Sequence, residues 1–262
     1  MLLSTIVVLA LLAPILSQHS PLKQDVLVAL QAPTRSHPFG TDPFGRDILA
    51  RVLFGGRLSL SSGLLVVLIA MLAGVPLGVI AAYFGGWTDE IISRMIDIFL
   101  AFPGFLLALV IVAVLGPSLL NAMLAVAVAS IPAFTRVVRG SVLSEGSREY
   151  VLAARALGCG HARIMVRHLL PNVVGPVLVL ATLRVGAAVL TTASLSFLGL
   201  GAQPPTPEWG EMLSAARPFI RQAWWLTVFP GSAITLTVLA VNLLGDGFRD
   251  ILDPKVRKVR KQ

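Results

Sequence analysis

The chain has 262 residues, of which 56% are hydrophobic and only 13% charged, and its mean hydropathy is +0.84. This balance excludes a soluble globular protein and a disordered one, because such long apolar runs must be buried in protein or lipid. The net charge of +8 does not indicate nucleic-acid binding, since the basic residues stand in short blocks between apolar runs. The single cysteine, Cys159, excludes an internal disulfide. The four histidines, His19, His37, His161 and His168, show no metal-site spacing, so we expect neither a metal nor another cofactor in this chain.

Charge-poor stretches long enough to cross a bilayer, which takes about 20 apolar residues of helix, recur along the chain. One of them is long enough for a hairpin of two helices and is broken at Gly116-Pro117-Ser118. The first run has no basic residue before it and a poor cleavage site, so we expect a retained helix rather than a signal peptide. The sequence therefore predicts an all-α polytopic membrane protein with about six transmembrane helices. They are expected at 1–16, 58–88, 98–135 (the hairpin), 172–200 and 224–244.

The distribution of basic residues predicts the orientation. Most of the 21 Lys and Arg residues fall in the loops and the tail that share a face with the N-terminus when six spans are assumed. Because loops rich in Lys and Arg stay in the cytoplasm, both termini are placed there. The 19–57 loop runs against this rule, since it carries five basic residues. The predicted organisation is a first transmembrane helix at 1–18, an extracytoplasmic loop at 19–57, a core of five transmembrane helices at 58–254 and a basic cytoplasmic tail at 255–262.

The cytoplasmic loop at 136–171 has the features of a compact knob. Helix-favouring residues at 150–157 are followed by a glycine-containing break at 158–160 and by a second short helix at 162–170, which is expected to end before Pro171. Small residues around the break would let the backbone of another protein come close. A loop that simply packs on itself is the alternative.

Several ordered motifs resemble one family of membrane proteins. Ala153-Ala154-Arg155-Ala156-Leu157-Gly158, followed by Leu170-Pro171, resembles the EAA loop of binding-protein-dependent ABC importer permeases, with Leu152 and His168 where the family pattern has Glu and Ile. The segment from His37 to Asp47 is similar to the H-P-x-G-T-D-x-x-G-R-D motif of the dipeptide, oligopeptide and nickel branch. Further segments similar to that branch begin at Arg94, Ser196, Pro204 and Gly245.

This resemblance implies a type I ABC importer permease of the cell inner membrane. Such a subunit forms a translocation pathway for peptides with a second, homologous permease, and it works with two ATPase subunits and an extracytoplasmic solute-binding protein. The chain itself is not expected to hydrolyse ATP, because none of its lysines follows a glycine as a phosphate-binding loop requires. Import of nickel or another small solute by the same architecture is the alternative, and an ion-driven secondary transporter is a more distant one. The residues that the resemblance assigns to ATPase coupling are Ala153, Ala154, Gly158, Cys159, Gly160, His161, Ala162, Arg163, Leu170 and Pro171.

Charged residues in two other places are candidate functional residues. Arg184 lies within a predicted span, where a charge costs at least about 2.5–3.5 kcal/mol. It therefore lines the transport path, pairs with another helix, or lies near the cytoplasmic end of a long fifth helix. A second motif is expected to form a structured turn on the outer face, as a docking surface for the binding protein or as a brace. It consists of Gly40, Thr41, Asp42, Gly45, Arg46 and Asp47.

Glycine spacing and tryptophan placement give two further expectations. Gly74 and Gly78 have the GxxxG spacing that permits close helix crossing, either against a sister subunit or within this chain. Trp209, Trp224 and Trp225 lie near predicted helix ends, which is typical of anchors at the membrane interface.

Overall fold

The computed structural model describes residues 2–252, and over this range the chain is built almost entirely from helices. The β-type pairing found among these residues is an isolated antiparallel bridge between Thr41 and Asp47. The all-α prediction is confirmed, whereas the predicted basic tail at 255–262 lies outside the described residues. The α-helices are α1 Leu2–Leu11, α2 Ala13–Leu16, α3 Ile48–Phe84, α4 Gly86–Leu100, α5 Gly104–Leu115, α6 Leu119–Gly146, α7 Glu149–Ala156, α8 His161–Arg163, α9 Leu170–Phe197, α10 Trp209–Ala216 and α11 Trp225–Leu252.

The membrane-spanning helices form the body of the protein. Four helical stretches are long and apolar enough to cross a membrane: α3, α6, α11, and α9 together with the helical turns that precede it. Helices α4 and α5 meet the same criterion only as a pair, which is bent by 88° at its break. Helix α1 is apolar but has 10 residues, which make about 15 Å of helix, half of a bilayer's hydrocarbon core. The described residues therefore hold four or five candidate spans where the sequence predicts six.

Helix α3 extends further than the sequence predicts. The prediction placed residues 48–57 in the loop at 19–57, but α3 begins at Ile48, where the Asp47 carboxylate accepts a hydrogen bond from the Ala50 amide at 2.7 Å. An aspartate at this position satisfies an amide that the first helical turn leaves without a partner. With 37 residues, α3 is about 55 Å long and joins two ends of the molecule that are far apart.

The break predicted between the two helices of the hairpin is present. Gly116 has a φ of +90°, which favours glycine, and Ser118 caps α6 by accepting a hydrogen bond from the Asn121 amide at 3.0 Å. The first helix of the pair, α5, starts at Gly104 because Pro103 and the bend after α4 separate it from the preceding residues. The hairpin therefore has a short arm, α5, and a long arm, α6.

Helices α3 and α6 cross at glycines. A Cβ atom on Gly78 would lie 2.7 Å from the carbonyl oxygen of Thr135 and 2.8 Å from the Cβ of Val138. On Gly74 it would lie 2.8 Å from the Cβ of Phe134. Side chains at these positions would push the two helices apart, so both glycines are required for the close crossing. Of the two interpretations of this spacing, the structure shows packing within the chain.

The second helix of the knob does not end before Pro171, as the sequence predicts. His161–Phe197 form one continuous helical stretch, which contains a π-helical segment at Ile164–Leu169. Pro171 has no amide hydrogen and would break the regular α-helical pattern. At the end of the π segment the Leu170 amide donates to the Met165 carbonyl, five residues back, and this wider pattern lets the helix continue through the proline.

Candidate coupling surface and the charged cluster at the opposite end

The knob, residues 147–170 of the predicted 136–171 loop, lies at the C-terminal end of α3. The Tyr83 hydroxyl is hydrogen-bonded to His161 Nδ1 at 2.8 Å, and the Arg155 guanidinium lies 5.0 Å from the centre of the Tyr83 ring. The rings of Tyr83 and His161 also meet edge to face, with centres 5.6 Å apart. Tyr83 is therefore the residue through which the end of α3 contacts both halves of the knob. Sequence analysis missed it, because no motif singles out this tyrosine.

Buried apolar residues fix the knob to the membrane helices. Val151 and Ala154 of α7, with Ile164 and Leu169 of the π segment, are buried, and all except Ala154 belong to a core that includes Val138 of α6. These side chains recur at helical spacing, so one face of each short helix is buried and the other is free. Of the predicted coupling residues, Ala154 thus packs inward instead of lying at the surface.

The other face of the knob is exposed and mixes apolar with basic groups. Leu157 is 84% exposed and Val166 is 64% exposed. Between them, Gly158 has a φ of +77°, and a Cβ atom on Gly158 or Gly160 would meet no other atom within 4 Å. We call this face the coupling surface. It is formed by exposed residues of the knob: Ala153, Arg155, Leu157, Gly158, Gly160, His161, Ala162, Arg163, Val166 and Arg167.

The remaining predicted coupling residues lie at the edge of this surface. Cys159 and Leu170 are half-buried, and Pro171, which directly follows Leu170, is exposed. Next to Pro171, the side-chain amide of Asn172 donates to the Tyr150 hydroxyl at 3.0 Å, and this hydroxyl donates to the Glu145 carboxylate at 3.0 Å. These bonds join α6, α7 and α9 at the base of the knob.

The predicted outer motif forms a compact turn at the opposite end of α3. Asp42 Oδ1 accepts hydrogen bonds from the amides of Phe44 at 2.8 Å and Arg46 at 2.9 Å, and Asp42 Oδ2 accepts from the Arg46 side chain. Gly45 has a φ of +70°, and a Cβ atom there would lie 1.7 Å from the Asp25 carbonyl oxygen. Both facts require glycine at this position. These residues therefore form a structured turn, and its place on the outer face stays a prediction.

Thr41 and Gly40 attach this turn to the segment before it. The Thr41 hydroxyl donates to the Val28 carbonyl and accepts from the Gln31 amide at 2.9 Å. A Cβ atom on Gly40 would lie 2.7 Å from the Gln31 carbonyl oxygen, so only glycine allows this contact. The predicted motif therefore comes together as one unit.

A buried ion pair extends this turn to residues far along the chain. Arg51, 1% exposed, lies 3.0 Å from the Glu211 carboxylate and donates to the carbonyl oxygen of Pro205 at 3.2 Å. Glu208, also 1% exposed, accepts from the Ser59 hydroxyl at 3.2 Å. Burial raises the pKa of Glu211 even though the nearby Arg51 charge acts in the opposite direction. Sequence analysis missed Arg51 and both glutamates, because partners so distant along the chain leave no spacing signal.

Two of the three tryptophans expected as interfacial anchors belong instead to this end of the core. The Trp209 indole is buried and donates to the Val52 carbonyl at 2.9 Å, while the buried Trp225 indole donates to the Thr41 carbonyl at 3.0 Å. Trp224 alone is exposed. The anchor interpretation is therefore wrong for Trp209 and Trp225, whose indole N–H groups are satisfied by backbone inside the protein.

Two histidines meet Asp47 beside the turn. His37 Nδ1 lies 2.9 Å from Asp47 Oδ2, and His19 Nδ1 lies 4.0 Å from the same oxygen. His19 lies outside the segment that holds His37 and Asp47, which is why spacing along the sequence did not predict that the three side chains meet. Two imidazoles and a carboxylate are a donor set that can hold a metal ion.

Arg184 stands apart from both ends. It lies half-buried in α9, and among the described residues no side chain lies within hydrogen-bonding or ion-pair distance of it. The alternative of an ion pair with another helix is therefore not realised within residues 2–252. A role in lining the transport path stays a prediction.

Comparison with known proteins places the chain in a family. Residues 74–258 match the family described as binding-protein-dependent transport system inner membrane component. The chain belongs to this family. It is thus the membrane component of a transport system that depends on a binding protein, and the family resemblance stated from the sequence is confirmed.

Relatives extend the match over nearly the whole chain. The dipeptide transport system permease protein DppC of Alkalihalophilus pseudofirmus is 49% identical over 255 residues, which cover 97% of this chain and 84% of that protein. The di/tripeptide permease DppC of Pseudomonas aeruginosa is 46% identical, covering 96% and 85%. The glutathione permease GsiD of Pectobacterium atrosepticum is 49% identical, covering 87% and 75%.

A solved structure is similar in fold. A chain from a crystal structure of the MetNI methionine ABC transporter in an inward-facing conformation aligns with a TM-score of 0.63 at 18% sequence identity. The alignment covers 78% of this chain and 96% of that one. At this identity the likeness concerns the fold alone. It agrees with an ABC importer permease fold for the family member described above.

Proposed function

We propose that this chain is the permease subunit of an ATP-driven ABC importer for short peptides. It forms the translocation pathway together with a second, homologous permease, and it takes substrate from an extracytoplasmic binding protein. Two ATPase subunits, not this chain, hydrolyse the ATP. The observation that carries the proposal is the exposed, glycine-broken coupling surface on a member of this family, fixed to the membrane helices at one end of α3.

The chemistry of the coupling surface supports a protein partner. Leu157 and Val166 expose apolar side chains that gain by being covered, and they stand between the basic residues Arg155, Arg163 and Arg167. A core of apolar contacts with a polar rim is the usual composition of a protein interface. The absence of atoms near Gly158 and Gly160 leaves room for a partner's backbone.

The proposed substrate class rests on the relatives. Dipeptides, di/tripeptides and glutathione, the substrates in their names, are all short peptides. Uptake of a labelled dipeptide by the complete transporter, with nickel ion as a competitor, tests this assignment. Inhibition of uptake by excess unlabelled peptide but not by nickel supports it, and nickel uptake without peptide uptake contradicts it.

The proposed orientation puts the coupling surface in the cytoplasm and the charged cluster outside. The basic residues of the knob favour the cytoplasmic side. The cluster around Asp42 and Arg51 lies at the other end of α3, a helix of about 55 Å that is longer than a bilayer is thick. The C-terminus is then cytoplasmic, and the 40–47 turn faces the binding protein. A cytoplasmic N-terminus requires in addition that the first apolar segment crosses the membrane, as the sequence predicts.

Single cysteines test coupling and orientation together. In a Cys159→Ser background, which removes the natural thiol, we introduce Gly160→Cys or Ala162→Cys into the coupling surface. Both positions are exposed. Each cysteine should crosslink to a co-expressed ATPase subunit and should resist an impermeant maleimide added to intact cells.

Leu27→Cys is the matched control, because Leu27 is 96% exposed in the loop at the opposite end of the molecule. It should react with the maleimide from outside and should not crosslink to the ATPase. Labelling of residues 160 and 162 from outside would overturn the orientation. A lack of ATPase crosslinking at both positions, in protein that assembles with its partners, would overturn the coupling role.

A further inference from the structure

A set of metal-ligating side chains lies beside the N-terminus of α3, apart from the coupling surface. The ligand atoms of His19, His37 and Asp47 all lie within 4.8 Å of one another. We propose that these three side chains form a binding site for a divalent transition metal ion of the Zn²⁺ class. The site is separate from the coupling surface, and it can be tested without any transport measurement.

The chemistry of the donors favours zinc over magnesium or calcium. Imidazole nitrogen is a preferred ligand of Zn²⁺, Cu²⁺ and Ni²⁺, whereas Mg²⁺ and Ca²⁺ prefer oxygen ligands throughout. Two histidines with one carboxylate also make up the protein ligands of known zinc sites that keep a fourth position for water. His19 is 40% exposed, so that fourth position is open to solvent.

The distances require only a small adjustment. At metal–ligand distances of about 2.0–2.1 Å, ligand atoms at the corners of a tetrahedron are about 3.3 Å apart. His37 Nδ1 and Asp47 Oδ2 are already closer than this, at 2.9 Å, and His19 Nδ1 is 4.0 Å from the same oxygen. The set spans up to 4.8 Å, so a movement of about 1.5 Å by His19 would complete the site. His19 is the most exposed of the three and lies in an irregular segment, where such a movement meets little resistance.

The Asp47 carboxylate is held in place and has no lysine or arginine partner within residues 2–252. Asp47 is 4% exposed, and its Oδ1 atom is fixed by the Ala50 amide that it caps. The nearby arginines are engaged elsewhere, Arg46 with Asp42 and Arg51 with Glu211. Among the described residues, Oδ2 of Asp47 meets charged groups only if the imidazoles are protonated. A metal ion would neutralise this buried charge while the imidazoles stay neutral.

Metal binding at this position would connect three segments. His19 follows α2 closely, His37 belongs to the loop before the charged turn, and Asp47 is the N-cap residue of α3. Coordination would therefore hold the N-terminal helices against the start of α3. We expect added Zn²⁺ to raise the thermal unfolding temperature of the protein, because a ligand that binds only the folded state stabilises it.

Zinc binding by the purified full-length chain tests the proposal. After chelator treatment and removal of any affinity tag, equilibrium dialysis against Zn²⁺ should give one bound ion per chain by elemental analysis. Titration with Co²⁺ should produce the visible absorption of a four-coordinate site. His19→Gln and His37→Gln should each weaken zinc binding at least about tenfold, the lower end of what even a supporting residue contributes at a metal site.

Two controls separate this site from adventitious binding. His161→Gln and His168→Gln change histidines at the opposite end of α3 and should leave zinc binding intact. Asp47→Asn keeps an oxygen to cap α3 but weakens the ligand, so it should lose zinc while retaining its helical circular dichroism. The proposal would be overturned if the unmodified protein bound no zinc, or if the His19→Gln and His37→Gln variants bound zinc as tightly as the unmodified protein.

Discussion

Substitution of Gly158 separates two reasons for a glycine in the coupling surface. Gly158 has a φ of +77°, in the left-handed region, and a Cβ atom there would touch nothing within the chain. Its requirement is therefore either conformational or due to a partner that comes close. Gly158→Ala adds a small side chain that resists this conformation. Gly158→Asn adds a larger one that adopts it more readily.

The expected cost follows from the backbone. A residue other than glycine pays roughly 1–2 kcal/mol in the left-handed region, and asparagine pays less. If the break after α7 must keep this shape to engage the ATPase, that cost reduces the competent population by a factor of roughly 5–30. We therefore expect Gly158→Ala to lower uptake by a factor of this size, and Gly158→Asn to retain most of it.

The assay is uptake per ATP hydrolysed in proteoliposomes that contain the complete transporter, normalised to the amount of assembled complex. Gly160→Ala is the control, because Gly160 has φ −63° and ψ 150°, which any residue adopts. If the requirement at the break is conformational, that variant should transport normally. If Gly158→Asn proves as damaging as Gly158→Ala, the conformational reasoning is refuted and space for a partner is the requirement.

Two further predictions concern stability. Gly78→Ala should lower the free energy of unfolding by about 1–3 kcal/mol, because the added methyl group forces α3 away from α6. Gly140→Ala is the control, at an exposed helical position with free space around it, and should be neutral or stabilising by up to about 1 kcal/mol. Equal unfolding temperatures of the two variants in detergent would contradict the close crossing. Arg51→Met should lower the free energy of unfolding by about 3–5 kcal/mol at pH 8, since it leaves the Glu211 carboxylate buried without its partner. Burial already raises the pKa of Glu211 above 4.5, so the folded state holds the Glu211 proton more tightly than the unfolded state does. The destabilisation by Arg51→Met should therefore shrink as the pH falls toward 4.5. A destabilisation independent of pH would refute the pairing of Arg51 with an ionised Glu211.

The hydrophobic pattern predicts the membrane class and the long helices, because each apolar run must satisfy its own backbone within lipid. It does not predict where helices begin in polar sequence. Arg51 was placed in a loop on the strength of its charge, yet it lies in the first turns of α3 with Glu211 as its partner. A buried ion pair between residues so far apart leaves no local pattern from which a helix start could be inferred.

The two ends of the molecule differ in how well sequence predicts them. The 40–47 turn is readable, because Asp42 pairs with Arg46 four residues later and glycines stand at the positive-φ positions 40 and 45. The contacts of Tyr83 with His161 and of His19 with Asp47 join separate segments, so only the fold reveals them. Trp209 and Trp225 illustrate the same limit, since an indole near a helix end is equally consistent with a membrane interface and a buried core.

The continuity of the helix through Pro171 bears on how the proposed coupling would work. A knob joined to the bundle by a flexible loop could bind an ATPase without moving the membrane helices. Here the coupling surface passes into α9 through the π segment at Ile164–Leu169, and its base is fixed to α6 through Tyr150, Glu145 and Asn172. Displacement of the knob must therefore displace α9 and α6 with it. An ATPase that binds this surface differently in its two nucleotide states would thereby shift the equilibrium between conformations of the membrane helices.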